Sequence, residues 1–242
     1  MKTRIDGRCL WLRQAIAPGE EDAPPLEGRQ RADIGIVGGG YAGLWTALEL
    51  KRRNPAIDIA IVEADICGGG ASGRNSGMVL SQWAKFQALE AFCGTAAALA
   101  LGRAFAGAVA QVGTFCAENG IDAEYRRDGW VWGATCERHV GSWNGILDAL
   151  EAHGVHALRR VDATTIARLT GSDRFRAGIH DPTAATIHPG KLVRGLRRLA
   201  LARGIRLYEN SAMTRLERRS PPVVHTARGS LAATRIILTM NA

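Results

Sequence analysis

The stretch ADIGIVGGGYAGLWTALEL, residues 32–50, decides the fold of this chain. Its apolar run at residues 34–37 ends in glycines, which is typical of a buried parallel strand. Residues 41–53 carry apolar side chains at helical spacing, and Asn54-Pro55 ends that helix. A second apolar run follows at residues 57–62. Strand, helix and strand in this order predict a parallel βαβ unit, whose crossover is nearly always right-handed.

The turn between the first strand and the helix has the pattern G-x-G-x-x-G at residues 38–43. Gly38 would permit the tight turn, Gly40 would let the backbone approach a pyrophosphate, and Gly43 would let the helix pack closely on the sheet. The first turn of the helix, including Tyr41, would offer N–H groups and partial positive charge to the phosphates. We therefore predict a dinucleotide site, with an ordinary glycine-rich turn as the alternative.

An acidic residue, Glu63, stands at the end of the second predicted strand. Its carboxylate could accept hydrogen bonds from the adenosine ribose, and it would repel a 2′-phosphate, so NADP is disfavoured. The separation from Gly38 is longer than the usual ~20 residues, and residues 54–56 can account for the longer connection. The alternative interpretation is a surface glutamate.

The next segment, GGGASGRNSG at residues 68–77, distinguishes between cofactors. A nicotinamide-binding domain would normally continue into another crossover helix. Here small residues such as Ala71 bring backbone N–H groups close to a ligand, and Ser72, Arg74 and Asn75 add side-chain donors. This loop favours the diphosphate and ribityl portion of FAD over NAD, although a flexible surface loop would have a similar composition.

The remaining pattern predicts a nucleotide-binding domain that is interrupted by a second lobe. Asp128-Gly129, between alternating residues 124–127 and 130–134, predicts a β-hairpin. Further helices are predicted at 83–93, 96–119, 138–153, 163–169 and 189–202, and strands at 205–209, 214–217, 223–226 and 234–239. The predicted class is α/β: an extended arm (1–30), a Rossmann-like FAD-binding domain in two segments (31–120 and 187–242), and a partial α+β substrate lobe (121–186).

Composition excludes several other classes of protein. The net charge of +8 comes mostly from scattered arginines rather than from a basic stripe, so no nucleic-acid partner is expected. The five cysteines contain no C-x-x-C pair, which argues against a disulfide framework or a metal site and favours reduced thiols in the cytoplasm. Residues 1–14 lack the apolar core of a signal peptide. Residues 104–117 look too short to span a bilayer, and we expect a packed core helix there.

Several stretches together resemble the D-amino-acid oxidase/glycine oxidase (DAO) flavoproteins, and among these the γ-glutamylputrescine-oxidase-like amine oxidoreductases. The most specific is IVEADICGGGASGRNSGMV at residues 61–79, next to the glycine fingerprint. The others are YRRDGWVWGAT (125–135), ATIHPGKLVRGLRRLA (185–200) and IILTMNA (236–242). The resemblance runs from about residue 10 onward.

The resemblance implies a set of contacts with FAD. Pyrophosphate contacts would come from Gly38, Gly40, Ala42 and Gly43, and ribose contacts from Glu63 and Ala64. Ser72, Arg74 and Asn75 would line the path from pyrophosphate to flavin, Met213 would meet adenine, and Thr239 and Ala242 would close over the cofactor. Met240-Asn241 departs from the family's usual Ala-Thr-Gly, which puts the last contact in doubt.

The resemblance also implies a function and a length. The expected reaction oxidises the C–N bond of a small amine or amino-acid-like substrate by hydride transfer to flavin. Family members are far longer, so we expect an N-terminal portion that works with a C-terminal half or a partner chain; a complete small protein is the alternative. Two other functions stay open: a non-catalytic FAD-binding fragment and an NAD-linked dehydrogenase.

The sequence identifies no catalytic residue. His180 and His188 could each act as a base, but a lone histidine is more often structural. Trp130 and Trp132 could line a substrate pocket, or they could form a core cluster on one face of a strand. Cys67 lies beside the glycine loop without any specific activating group, so we interpret it as a small core residue.

Overall fold

A computed structural model describes residues 8–240 of the chain. It divides into two compact units. The first unit contains the chain up to Ser76, the short segment Asn119–Ala123, and the chain from His188 onward. The second unit contains Gly77–Glu118 and Glu124–Ile187.

The predicted order of elements is confirmed in part, since one short helix and four of the strands were not predicted. The elements are α1 (Leu10–Ala15), β1 (Gly28–Val37), α2 (Tyr41–Arg53), β2 (Ile59–Val62), β3 (Met78–Val79), α3 (Phe86–Cys93), α4 (Thr95–Glu118), β4 (Trp130–Ala134), α5 (Asn144–Glu151), β5 (Arg159–Asp162), α6 (Ala163–Thr170), β6 (Ala177–Asp181), β7 (Ala185–Thr186), α7 (Pro189–Ala202), β8 (Arg206–Tyr208), β9 (Arg215–Glu217), β10 (Val223–His225) and β11 (Gly229–Leu238).

The first unit is built on a six-stranded sheet with the order β8-β2-β1-β11-β10-β9. The strands β8, β2, β1 and β11 run parallel, and β10 and β9 are antiparallel additions. All four residues of β2 are buried, which explains its uninterrupted apolar sequence. The predicted βαβ unit and its helix at residues 41–53 are confirmed.

The long central pairing joins distant parts of the sequence. Strand β1 pairs with β11 from Gly28 opposite Gly229 to Val37 opposite Leu238. Both strands are longer than the patterns at 34–37 and 234–239 predicted. Their additional residues include polar and small side chains, which have low strand propensity. These residues form strands because the two backbones pair with each other.

The predicted extended arm at residues 1–30 is partly wrong within the described residues, because Leu10–Ala15 form a helix. Leu12 is fully buried, and α1 packs against α7. A helix this short is marginal by itself, so the burial of Leu12 stabilises it more than propensity does.

A buried ion cluster holds the segment after α1 in place. Its four members are Glu20, Arg194, Arg197 and Glu209. Arg197 donates to both carboxylate oxygens of Glu209, at 3.0 and 2.8 Å, and Arg194 donates to Glu20. Glu209 also accepts backbone N–H bonds from Ala23 and Cys67, both at 2.7 Å. The charges of two arginines and two glutamates therefore compensate one another at a place from which water is excluded.

The second unit contains a three-stranded antiparallel sheet, β4-β6-β5, and the small β3-β7 pair. Helices α3, α4 and α5 bury apolar side chains against one face of the larger sheet. The centre of this core contains Phe86, Trp143, Leu147, Leu150 and Ile179.

Three predictions for this region are wrong. Strand β4 pairs with β6, whereas residues 124–127 form no strand and only Arg126 makes a bridge, to Thr186. The helix predicted at 138–153 is shortened to Asn144–Glu151. The boundary at residue 120 is also displaced, since the chain from Gly77 through α4 packs into the second unit.

Helix α4 is less buried than a core helix. Ala98, Gly102, Val109 and Cys116 are buried, whereas about 40% of Leu101 and Phe105 is exposed. With 24 residues it is much longer than the apolar stretch at 104–117. By length and composition alone it could cross a membrane, so the expectation that it is too short was wrong; one such helix is weak evidence for a span.

Candidate cofactor site

The candidate site lies in the first unit at the carboxyl ends of β1 and β2. Gly38 follows β1 with φ +113°, a conformation that favours glycine, and its N–H donates to Val62 O at 2.9 Å. The chain then turns into α2, whose N-cap is Gly40. The glycine turn, the end of β2 and the first turn of α2 are thereby brought together, as the G-x-G-x-x-G pattern predicted.

Gly43 lets α2 approach the sheet. A Cβ atom at this position would lie 1.9 Å from Gly38 O and 2.8 Å from Thr239 Oγ1. Such contacts are far inside van der Waals distance, so no other residue fits without moving the backbone. Thr239 fixes the same junction, because its hydroxyl donates to Val37 O at 2.9 Å.

The Glu63 carboxylate faces the glycine turn. One oxygen accepts from Gly39 N at 2.6 Å, and the other accepts from Asp65 N at 2.9 Å. A carboxylate has about four lone-pair positions, so it can still accept bonds from ribose hydroxyls. The predicted acid therefore lies in the crevice rather than at the surface.

The glycine-rich loop at residues 68–77 reaches the same place. Its residues Ala71–Gly73 form one 3₁₀ turn, and Ser72 Oγ accepts from Tyr41 N at 2.9 Å. The serine hydroxyl thus meets the first turn of α2, where a phosphate would bind, and it keeps its own proton to donate. A Cβ atom on Gly40 would lie 2.7 Å from this oxygen.

These elements enclose a cavity of about 340 Å³. The predicted site residues in its lining are Gly38, Gly40, Glu63, Ala64, Ala71, Ser72, Met213 and Thr239. The lining also contains residues that sequence reasoning did not assign, namely Val37, Val62, Gly68, Gly70, Ala212 and Met240. The positions of Val37 and Val62, the last residues of their strands, could have been inferred. Ala212 and Met240 carry no sequence signal.

Other predicted site residues lie outside this lining. Tyr41 and Gly43 shape the turn from behind, and Ala42 is exposed on α2. Arg74 is also exposed, and Asn75 turns its amide back to Ala71 O and Ser72 O, at 3.2 and 3.0 Å. Ala242 lies outside the described residues.

The carboxylate of Asp65, beside the loop, is paired with an arginine. Arg8 makes two hydrogen bonds to Asp65, at 2.9 and 3.0 Å, and this guanidinium holds the pKa of the Asp65 carboxyl below its usual value. Burial raises the pKa of the Cys67 thiol well above its usual range, and the carboxylate of Glu209 adds to that shift. A fully buried thiol with a raised pKa is unreactive, in agreement with Cys67 as a small core residue.

His188 has a structural role, whereas no hydrogen bond among the described residues accounts for the buried ring nitrogen of His180. His188 caps α7, accepting from Lys191 N at 3.1 Å, and its other ring nitrogen lies 3.1 Å from Gln14 Oε1. His180 lies in β6, and its Nε2 is buried without a hydrogen-bond partner among the described residues.

The fold and the cavity define an α/β protein of the dinucleotide-binding class, with a glycine-rich turn after the first strand and an acidic residue after the second. The chain belongs to the DAO family of FAD-dependent oxidoreductases, which it matches over residues 33–242. Members of this family use FAD.

Two curated relatives show the same relationship. Gamma-glutamylputrescine oxidoreductase of Escherichia coli K12 is 31% identical over 211 residues, covering 87% of this chain and 49% of that protein. A probable oxidoreductase OrdL of Rhizobium meliloti is 33% identical over 237 residues, covering 94% of this chain and 53% of that protein. The chain spans about half the length of the curated relatives it matches.

Solved structures show the same fold. Glycine oxidase from Geobacillus kaustophilus superimposes with a TM-score of 0.68 at 22% identity, over 88% of this chain and 56% of that one. L-amino acid deaminase from Proteus vulgaris with its specific insertion sequence deleted gives a TM-score of 0.70 at 21% identity, over 93% of this chain and 56% of that one.

Proposed function

We propose that this chain binds FAD in the first unit and forms the cofactor-holding part of an oxidoreductase that oxidises the C–N bond of an amine or amino-acid-like substrate. The observation that carries the proposal is the convergence of Glu63, the 38–43 turn and Ser72 around one cavity. Relatives named for amine and amino-acid oxidation support the substrate class.

The residues present fit the adenosine and diphosphate portion of FAD. The Glu63 carboxylate would hold the ribose hydroxyls, and the first turn of α2 with Ser72 would hold the phosphates. Gly40, which has no Cβ, leaves room for close approach to the backbone. When bound, FAD would supply the two-electron redox chemistry, while the chain binds and orients it.

The experiment is to add FAD to the purified protein, remove free flavin by gel filtration, and mix the sample anaerobically with a panel of amines and amino acids. Retained flavin whose absorbance is bleached by a substrate supports the proposal. Failure to retain FAD, together with binding of NAD, would contradict it and favour an NAD-linked dehydrogenase.

A second candidate function is cofactor binding without turnover until a partner chain completes the active site. Its support is that the chain spans about half the length of its curated relatives. Retained FAD that no amine bleaches would favour this candidate.

We also propose a cytoplasmic location, supported by five cysteines that are all free thiols.

The role of Glu63 leads to a specific prediction. Glu63→Gln should weaken FAD binding by ~10- to 100-fold, because hydrogen bonds to a charged acceptor contribute about 1.5–3 kcal/mol. Flavin fluorescence titration measures the dissociation constant. Glu151→Gln, which removes the same charge from an exposed position of α5, is the control and should bind as the parent does. Equal affinity of the Glu63 variant would remove this residue from the site.

A further inference from the structure

The second unit contains a cavity of about 490 Å³ that shares no lining residue with the cofactor cavity. It lies between the start of α3, strand β4 and helix α5, with Ala84, Trp132 and Ile146 among its lining residues. Its volume is within the range of ligand pockets, roughly 300–1,000 Å³. The proposed FAD chemistry makes no use of it.

The walls of this cavity are apolar and aromatic. Trp130 and Trp132 are two residues apart on β4, so their side chains lie on the same face of the strand. Trp132 is fixed from behind by an edge-on contact with Trp143, with ring centroids 6.1 Å apart. Trp130, Trp132 and Ile146 are only half-buried, which leaves part of their apolar surface facing water in a concave site. Covering them with an apolar ligand is favourable.

The polar part of the lining has one sign of charge. Lys85 lies in the lining, and its ammonium makes no ion pair with any carboxylate among residues 8–240. Among the described residues, the lining also contains Gln87, whose amide donates to Gly145 O at 3.2 Å, and the indole N–H groups of the two tryptophans. No acidic side chain lines the cavity in the part of the chain that the structure describes. An organic anion would therefore meet a complementary charge.

A cation could also be drawn to the tryptophan faces, since cation–π attraction is strongest for Trp. Lys85 opposes that choice, because it would place a like charge at the same rim. The Lys85 charge favours a carboxylate, whereas the tryptophan faces favour an amine. The relative affinities of a carboxylate and an amine of the same shape therefore show which effect is larger.

We propose that this cavity binds a small apolar carboxylate, with its apolar body against Trp130 and Trp132 and its carboxylate at the Lys85 ammonium. The site is independent of the cofactor cavity, and the proposal holds whether or not the chain oxidises amines.

The test uses three probes of the same shape: 3-phenylpropanoate, 3-phenylpropanamide and 3-phenylpropylamine. Binding to the full chain is measured by calorimetry and by the change in tryptophan fluorescence. The proposal expects the carboxylate to bind at least ~10-fold more tightly than the amine, with the neutral amide in between.

Three variants locate the site. Lys85→Met should weaken carboxylate binding ~5- to 10-fold and leave amide binding unchanged, because it removes only the charge. Ala88→Phe, at an exposed helix position in the lining, should abolish binding of all three probes by filling the space. Arg103→Met removes the same charge from an exposed position of α4 outside the cavity and should change nothing.

Circular dichroism and thermal unfolding establish that each variant is folded before its affinity is compared. A carboxylate preference that disappears in Lys85→Met supports the proposal. Tighter binding of the amine, carboxylate binding that survives both Lys85→Met and Ala88→Phe, or no binding of any probe at millimolar concentration would each overturn it.

Discussion

Gly43→Ala will abolish FAD binding and destabilise the protein by about 3 kcal/mol, at the upper end of the cost of overpacking. The new Cβ would lie 1.9 Å from Gly38 O, and a backbone carbonyl cannot rotate away as the end of a side chain can. Helix α2 must therefore move outward, which carries its first turn away from the cavity and displaces the N–H groups that would hold the phosphates.

Urea unfolding followed by circular dichroism measures the stability of this variant, and flavin titration measures its affinity. The matched control is Gly107→Ala in α4, where a Cβ would meet nothing within 4 Å. That control should be stabilised by ~0.5–1 kcal/mol, because alanine is the better helix former and restricts the unfolded chain. If both variants bound FAD equally well, the close approach of α2 would be irrelevant to the site.

The second large effect is expected from Arg197→Met, which should destabilise the protein by about 3–5 kcal/mol. Arg197 is almost fully buried and donates to both oxygens of Glu209, which is itself fully buried. Removing the guanidinium leaves the buried Glu209 carboxylate with Arg194, 3.5 Å away, as its one remaining positive partner among the described residues. The double variant Arg197→Met/Glu209→Gln should recover part of the loss, because no unpaired charge then remains at that pair.

The control for this cluster is Arg52→Met, which breaks the exposed pair between Arg52 and Glu49 and should leave the unfolding midpoint unchanged. If the double variant were as unstable as the sum of its two single variants, the two side chains would not be coupled.

Acid stability follows from the same cluster. Burial alone would raise the pKa of Glu209, but the hydrogen bonds from Arg197, Cys67 N and Ala23 N outweigh it and lower that pKa below its ordinary value of 4.5. The stability from this depressed pKa is therefore fully present above pH 4.5 and is lost as the pH falls through the folded-state value. Unfolding free energy measured against pH should fall less steeply for Glu209→Gln in this acid range than for the parent.

The parts of the fold that could be predicted are those with local signals. Helix α2 lies between a glycine turn and Asn54-Pro55, and α7 begins at Pro189 and ends before Gly204, so both were found with their observed bounds. The pairing of β4 with β6 could not be read from the sequence. Asp128-Gly129 resembles a hairpin turn, but the partner strand is Ala177–Asp181, more than forty residues further along.

The residues of the candidate site likewise fall into those that local sequence patterns predict and those that they do not. Gly38, Gly40, Glu63 and Ser72 belong to local sequence patterns, and the structure places all four around one cavity. Ala212 and Met240 enter the lining only because β8 and β11 return to the same sheet. The exposed position of Arg74 was also beyond sequence reasoning, since composition shows which donors a loop has but not where they point.

The pairing of β1 with β11 constrains how the chain acquires its structure during synthesis. After β1, the ribosome must synthesise about 200 further residues before β11, the strand that pairs with one edge of β1, is complete. The whole second unit is synthesised within that interval, so it can fold first, while one edge of β1 has no strand partner. Shielding of that edge by a chaperone on the nascent chain is therefore expected to raise the yield of the native protein.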